Sequence, residues 1–494
     1  MPYFDHFSQS LIPRGSSYAA HVSEYNFLYK GIHPFKSKCF QSLISIQPFR
    51  FKLQRIRRKY TVRSHIYTSN TLSKSTIQSA PAIHTMTSPP KIAILGAGPA
   101  GLTLASLLTK TNIPFTVFDL RSRPSPSAVN TPSGSLDLHR ESGLLALQTC
   151  GLYERFKGLS GECSEEFKLS DKTGEVKYQD EGHGLRPEIA RNSLAQLLLE
   201  SIPEERIKWE HKVLSVARSD SANGKWAISF ASQGTQDFDL VVGADGAWSR
   251  VRPLLTSIAL HFSGINCITL TIPHLTSTHP HLASIVGQGS HFACSKGKSI
   301  MMQRGSLDSA RIYLMIASPP SCSNPENWLS DSGLDQMNAE QLKKKLLNTK
   351  EGLFESWGKE LKELIAVCCD SEAGNDISAK PLYMLPPGHS WSHVPGLTLI
   401  GDAAHLMAPF AGEGVNAAML DALQLSQTIA KEWSSSDDAA LDRALKEYEN
   451  NMFPRAKDIM EETVQNMEMI FAEDSPREFV AIMKSHGPPP EGQE

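Results

Sequence analysis

The stretch KIAILGAGPAGLTLASLLTKTNIPFTVFDL, residues 91–120, constrains this chain more than any other. Ile92, Ile94 and Leu95 make a short apolar run of the kind a parallel strand buries on both faces. Gly96, Gly98 and Gly101 then lead, through Pro99 and Ala100, into a helical run carrying Leu102, Leu104, Leu107 and Leu108. A second strand, PFTVFDL, brings Asp119 close to the spacing of a ribose-binding acid. Strand, glycine turn, helix and strand in that order open an α/β fold. Glycines at such a turn let the backbone approach a pyrophosphate, whose charge then faces a helix N-terminus. GxGxxG alone carries little weight, but here the strand, the helix and the acid all stand in place. The unit predicts dinucleotide binding and leaves FAD and NAD(P)H both open.

Two later strand ends repeat the pairing of glycine with aspartate. FDLVVGADGAWSRVR (238–252) is an apolar strand followed by Asp245-Gly246, with Ser249 and Arg252 entering the next turn. GDAAHLMAPFAGEGVN (401–416) puts Asp402 where the apolar run LTLI stops. Pro409, Gly412, Gly414 and Asn416 follow, just before the helical run AAMLDALQLSQTIAKEW. Taken singly, Asp-Gly after a strand reads as a turn, and spaced glycines before a helix read as a cap. Three such sites in chain order are hard to explain as unrelated turns.

With these three motifs the chain resembles the FAD-dependent aromatic hydroxylase family, the para-hydroxybenzoate hydroxylase type of flavoprotein monooxygenase. A closer resemblance, to the tetracycline-inactivating flavin monooxygenases, is carried by GSLDLHRESGLLALQTCGL (134–152), PEIARNSLAQLLLESI (187–202) and GDAAHLMAPFAGEGVNAAMLDAL (401–423). It runs through most of 90–470 and is loose over 255–385. The resemblance implies a discontinuous Rossmann-like FAD domain (90–165, 187–253 and 386–440). An inserted antiparallel-sheet substrate domain (166–186 and 254–385) and a C-terminal helical segment (441–494) complete the implied architecture.

It also implies that Asp402 bonds the ribityl chain of FAD, that the turn after it aims a helix N-terminus at the flavin's pyrimidine edge, and that Pro409 sits by the reactive face. Asp137 and Arg191 fall at FAD-binding positions. NAD(P)H would be co-substrate, and oxygen would pass from a flavin C4a-hydroperoxide to a small aromatic, enolic or polyketide-like molecule. A separate nicotinamide domain is not expected, and coenzyme preference stays open because the position of a coenzyme-contacting arginine is filled by Asn130. An ungapped alignment puts Thr269 and His291 at substrate positions. Both are shorter than the family's residues, and Ile268, Leu270, Ile272, Phe292, Met301 and Met302 around them predict a rather apolar pocket. No catalytic side chain is singled out, and His405 is expected to pack rather than to act as a base. A flavin oxidoreductase without oxygen insertion and a non-catalytic nucleotide-binding regulator are the competing readings.

Composition sets outer limits. A chain of 494 residues suggests two or three domains. Residues 1–90 carry 12 Lys/Arg against 2 Asp/Glu, which leaves 37 against 50 in the rest. So acidic a body offers no electrostatic footprint for nucleic acid. The eight cysteines form no CxxC pair and no Cys/His ligand spacing, so no metal is expected and reduced thiols inside the cell are. No apolar run reaches membrane-spanning length. The basic segment 1–85, with RIRRKY at 55–60, reads as an unstructured extension or as sequence upstream of a start at Met86. A mitochondrial presequence is the alternative to a cytoplasmic location. Oligomeric state is not legible.

Overall fold

The computed structural model describes residues 89–486, apart from 162, 221–223, 349, 436 and 438. The basic N-terminal segment lies outside the described residues. Everything below belongs to one compact unit that begins at Thr85.

The apolar runs read from the sequence form a parallel five-stranded sheet, in the order Leu397–Leu399, Leu240–Gly243, Ile92–Leu95, Phe115–Phe118 and Ile207–Lys208. Every residue of Ile92–Leu95 and of Leu240–Gly243 is buried, as a parallel strand covered on both faces requires. The helices Pro99–Lys110, Arg191–Leu199 and Gly414–Glu432 supply the covering layers, and their leucines join the strands in one core. All three motif turns lie at the C-terminal ends of three adjacent strands of this sheet, where open α/β sheets bind ligands. A three-stranded antiparallel sheet (Val213–Arg218, Trp226–Phe230, Gly234–Phe238) and a two-stranded one (Ser135–Asp137, Glu188–Ala190) flank it.

A second, seven-stranded sheet runs Ser378–Met384, His261–Ile272, Ala310–Ala317, Lys298–Arg304, Ser290–Ser295, Phe167–Asp171 and Val176–Asp180. It is antiparallel except where Ser290–Ser295 meets Phe167–Asp171, a parallel join between segments far apart in the chain. Period-2 alternation divides its side chains. One face, with Ile268, Leu270, Ile272, Ile300, Met302, Ile312 and Leu314, packs on helices that include Ala339–Leu347 and Lys359–Ser371. The other, called the front face here, carries Cys267, Phe292, Met301, Tyr313 and Met315 and meets Ala408, Phe410 and the C-terminal helices. The Pro- and Ser-rich stretch 318–333 contains a turn of 3-10 helix (Pro325–Asn327) and a short helix (Trp328–Asp331), because Pro325 is well placed to start one. The 32-residue helix Ala440–Phe471 runs through Pro454 without ending. Among the described residues no helix is long and apolar enough to cross a membrane.

Candidate functional site

The glycines of the three turns divide into two kinds. Gly96 closes its strand at φ +112°, and a Cβ there would stand 2.2 Å from the Ala244 carbonyl oxygen. A Cβ on Gly101 would stand 2.0 Å from the Gly96 carbonyl oxygen. These two serve chain-to-chain packing. Gly98, which caps the Pro99–Lys110 helix, is different: a Cβ there would meet nothing within 4 Å, and the same holds for Gly246, Gly412 and Gly414. Glycines from all three motif turns therefore border open space. Pro99 opens the helix, and Ala100 is buried where its Cβ faces Gly401 of the third turn.

Asp119 is buried and already committed. One carboxylate oxygen accepts from the Ala97 amide at 2.7 Å and from Arg121 Nη2 at 2.8 Å; the other accepts from the Arg121 amide and Nε at 2.8 and 2.9 Å. Burial pushes this carboxyl up, but those hydrogen bonds outweigh it and hold the group below the usual carboxylate range. A ribose hydroxyl at Asp119 would share the group with Arg121.

Arg252 ties the second turn to the third. Its guanidinium is buried and donates from Nη1 to the Ala403 carbonyl at 3.2 Å, while Ser249 Oγ accepts from the Arg252 amide at 3.0 Å. Burial pushes the Arg252 pKa down, against the pull of Asp245 and Asp402. Asp245 accepts from the Arg250 amide through Oδ2 at 2.7 Å, but its buried Oδ1 has no partner among the described residues. Asp402 is exposed to the opening yet ringed by protein, so desolvation raises its carboxyl while His405, Arg191 and Arg252 pull the other way. His405 is buried with Nε2 2.6 Å from Asp421 Oδ2, the oxygen that also accepts from the Gly401 amide at 2.8 Å. It holds the loop in place, as expected.

The third side of the opening was only half legible. Asp137 ends its strand with Oδ2 2.9 Å from His139 Nε2, and the other ring nitrogen lies 3.1 Å from Glu413 Oε1. His139 is buried between the two carboxylates. Desolvation acts against its charge, but the carboxylates dominate and raise its pKa to about 9. Asn416 joins the same elements from the helix side: Nδ2 donates to the Asp137 carbonyl at 3.0 Å, and Oδ1 accepts from the His139 amide at 2.9 Å. Pro409 begins a 3-10 turn and Gly412 ends it at φ +72°, so the helix Gly414–Glu432 starts beside the opening with no acidic residue in its first turn. Arg191 is exposed at the start of its own helix, and its charge is felt at Asp402 and at Tyr313. Asn130 is exposed in a 3-10 turn. The sequence reading missed His139, Glu413 and Arg121. Their only advance signal was the acidic and basic residues adjoining the motif positions.

The front face of the second sheet stands against these loops. Tyr313 Oη lies 3.0 Å from where a Cβ on Gly134 would be, and Gln303 exchanges two hydrogen bonds with the Ser135 backbone, at 3.2 and 3.3 Å. Thr269 is on this face, opposite Tyr313 in register. His291 is not. It pairs with Met302 on the helix-covered face, is buried, and has its ring nitrogens 2.8 Å from Ser170 Oγ and 2.7 Å from the Ile285 carbonyl. Burial also pushes its pKa down. The expectation of His291 as a substrate contact is therefore corrected. The same alternation removes Ile268, Leu270, Ile272 and Met302 from the expected apolar lining and leaves Phe292 and Met301.

An opening bordered by glycines, a free helix N-terminus, and a buried carboxylate oxygen without a partner are what a flavin nucleotide asks of a protein. A family model described as "FAD binding domain" matches residues 90–350 and 392–463. The chain belongs to the FAD-binding-domain family. It is 40% identical over 434 residues to monooxygenase penA of Penicillium thymicola, covering 81% of this chain and 100% of that protein. Monooxygenase asqM of Emericella nidulans is 37% identical over 440 residues, 80% of this chain and 98% of its own. Among solved structures, tetracycline destructase Tet(55) is similar in fold, with a TM-score of 0.60, 18% identity, and 81% of this chain and 94% of that one covered. Among the described residues, no group of three His, Cys, Asp or Glu could hold a metal ion.

Proposed function

We propose that this FAD-dependent monooxygenase draws its electrons from NAD(P)H and, with O2, hydroxylates a small planar molecule held between the glycine-bordered opening and the front face of the second sheet. One observation carries the reading: the three motif turns pack on one another, with Ala244 of the second turn against Gly96 of the first and Arg252 bonding the third, and a glycine of each borders open space. Bound FAD supplies electron transfer and oxygen activation.

The chain's own residues bind, orient and exclude water. The Gly98–Gly101 turn would take the pyrophosphate on a helix N-terminus. Arg191 adds a fixed cation. Asp402 and Asp245 would accept from FAD hydroxyls or N–H groups, the second through its unpartnered Oδ1. The first N–H groups of the Gly414–Glu432 helix favour negative charge by ~0.3–1 kcal/mol, up to ~2 when partly buried. Gly412 and Gly414 leave room for a flat ring, with Pro409 beside it. Asp137 fixes that loop through His139 and Glu413, and Thr269 faces the substrate. We assign residues 90–165, 187–253 and 386–440 to FAD, and 166–186 with 254–385 to substrate, with the helices from 441 bracing the front face.

The test is direct. Purified protein should be yellow and release FAD on heating or acid treatment. Substrate-stimulated NAD(P)H oxidation under isotopically heavy O2 should put the heavy atom in the product. A colourless protein that takes up no FAD, or an unlabelled product, sinks the reading.

A further inference from the structure

One acid stands at the head of the Gly414–Glu432 helix, and the chain holds it back. Glu413 is the N-cap residue, yet its side chain makes no capping hydrogen bond, and no acidic residue lies in the first turn. A carboxylate at such a position is ordinarily drawn onto the free N–H groups of its own helix, where the dipole favours negative charge. Here Glu413 Oε1 lies instead 3.1 Å from His139 Nδ1, while the opposite ring nitrogen lies 2.9 Å from Asp137 Oδ2. The carboxylate is thus taken up by the strand end and not by the helix. Gly412 and Gly414, on either side of Glu413, border open space, so a released carboxylate has room to turn.

The imidazole is not needed to join strand and helix. Asn416, wholly buried in the first turn of the helix, accepts from the His139 amide at 2.9 Å and from Ser142 Oγ at 3.1 Å, and donates to the Asp137 carbonyl at 3.0 Å. These bonds run to backbone and to Ser142, so they persist whatever side chain stands at position 139. What the ring adds is charge. Desolvation works against that charge, but the hydrogen bonds to Asp137 and Glu413 raise the pKa to about 9, and both ring nitrogens donate at neutral pH.

We propose that His139 is a positioning residue that withholds Glu413 from the N-terminus of the Gly414–Glu432 helix, and so reserves the free N–H groups there for the negative charge of reduced FAD. This deepens the functional reading, on which it rests for the place of the ring beside Gly412 and Gly414. A carboxylate that reached the helix end would compensate the dipole and repel a second negative charge. Loss of the imidazole therefore weakens the hold on reduced, anionic FAD more than on oxidised, neutral FAD.

The experiment uses the full chain loaded with FAD. Its reduction potential, read without air against a reference dye and compared with that of free FAD, gives the ratio of affinities for reduced and oxidised FAD. His139→Gln should lower that ratio about threefold or more, within the range a helix terminus provides. Adding Glu413→Gln to His139→Gln should restore the wild-type ratio, and Glu413→Gln alone should not lower it. Glu413→Asp keeps the imidazole but is one methylene shorter, so it loses its reach to His139 and becomes a favoured N-cap acid. It should lower the ratio as His139→Gln does, and it decides the matter should His139→Gln fail to fold. A merely structural His139 would weaken both forms of FAD together, and Glu413→Gln would repair nothing. A wild-type ratio in His139→Gln or in Glu413→Asp, or a double variant that stays low, overturns the role of His139. The expected ratios in protein that yields unlabelled product under heavy O2 would instead sink the monooxygenase reading and leave that role standing.

Discussion

His139 sits between Asp137 and Glu413, two carboxylates from distant parts of the chain. Its pKa is raised from 6.5 to about 9, so its charge stabilises the folded loop fully below about pH 6.5, and this contribution is lost as the pH rises through 9. The pair of contacts is worth on the order of 2–3 kcal/mol at neutral pH if burial screens little of it. Glu188, opposite Asp137 in register, is pushed up to about 7 by burial and loses its own contribution over the lower window between its ordinary value and 7. Comparing wild type with His139→Gln cancels that background. The melting temperature of wild type should fall between pH 6.5 and 9 by several degrees more than that of the variant. Parallel profiles would show that the imidazole carries no charge there. Glycines and motif acids were legible in the sequence because each answers a backbone need visible in a dozen residues. His139 with Glu413 was not, because the pairing exists only once a strand end and a helix start from opposite ends of the fold meet.

Elements explain why two sets of glycines, identical in sequence, have different duties. Gly101 of the Pro99–Lys110 helix lies against Gly96, whose carbonyl oxygen would be 2.0 Å from a new Cβ, whereas Gly414 starts its helix facing open space. Gly101→Ala should therefore damage the fold itself, by roughly 1–3 kcal/mol or more since backbone must shift. Gly414→Leu should leave the apo protein as stable as wild type and block FAD uptake. Measuring melting temperature and FAD titration on both separates the two duties, and a Gly414→Leu protein that binds FAD normally would contradict the placement of the ring. Asp402→Ala should keep its fold and lose FAD affinity at least tenfold, since a charged hydrogen bond is worth roughly 1.5–3 kcal/mol. Alternation also explains the failure at His291. An ungapped alignment fixes a number along the chain, but a slip of one residue in a strand exchanges the two faces, and only the pairing of His291 with Met302 shows which face it took. The parallel join of Ser290–Ser295 to Phe167–Asp171 was likewise invisible, because neither segment says which distant strand it will meet.

Among the described residues the two largest sheets have separate cores, and they meet along a seam where polar contacts lie beside an apolar cluster that includes Met301, Ala408 and Phe410. The α/β sheet and the second sheet each bury their own leucines and isoleucines, so the seam is where a ligand fits without disturbing either core. A second sheet inserted into the α/β unit was expected in outline from the family resemblance that the three motifs carry. The route of the seam was not, since it depends on which side chains two sheets present to each other. Gln303 is the clearest stitch: its amide donates to the Ser135 carbonyl at 3.2 Å and its carbonyl accepts from the Ser135 amide at 3.3 Å, beside the strand that ends in Asp137. Ser135 is buried, so removing this partner leaves a backbone donor and acceptor unsatisfied, at about 1–3 kcal/mol in total. Gln303→Leu keeps the bulk and loses both bonds. It should lower the melting temperature by a few degrees and, because the seam frames the opening, weaken FAD binding more than an equally destabilising change such as Ile312→Val in the helix-covered core. If the two variants lose FAD equally at matched stability, the seam only joins the sheets and does not shape the site.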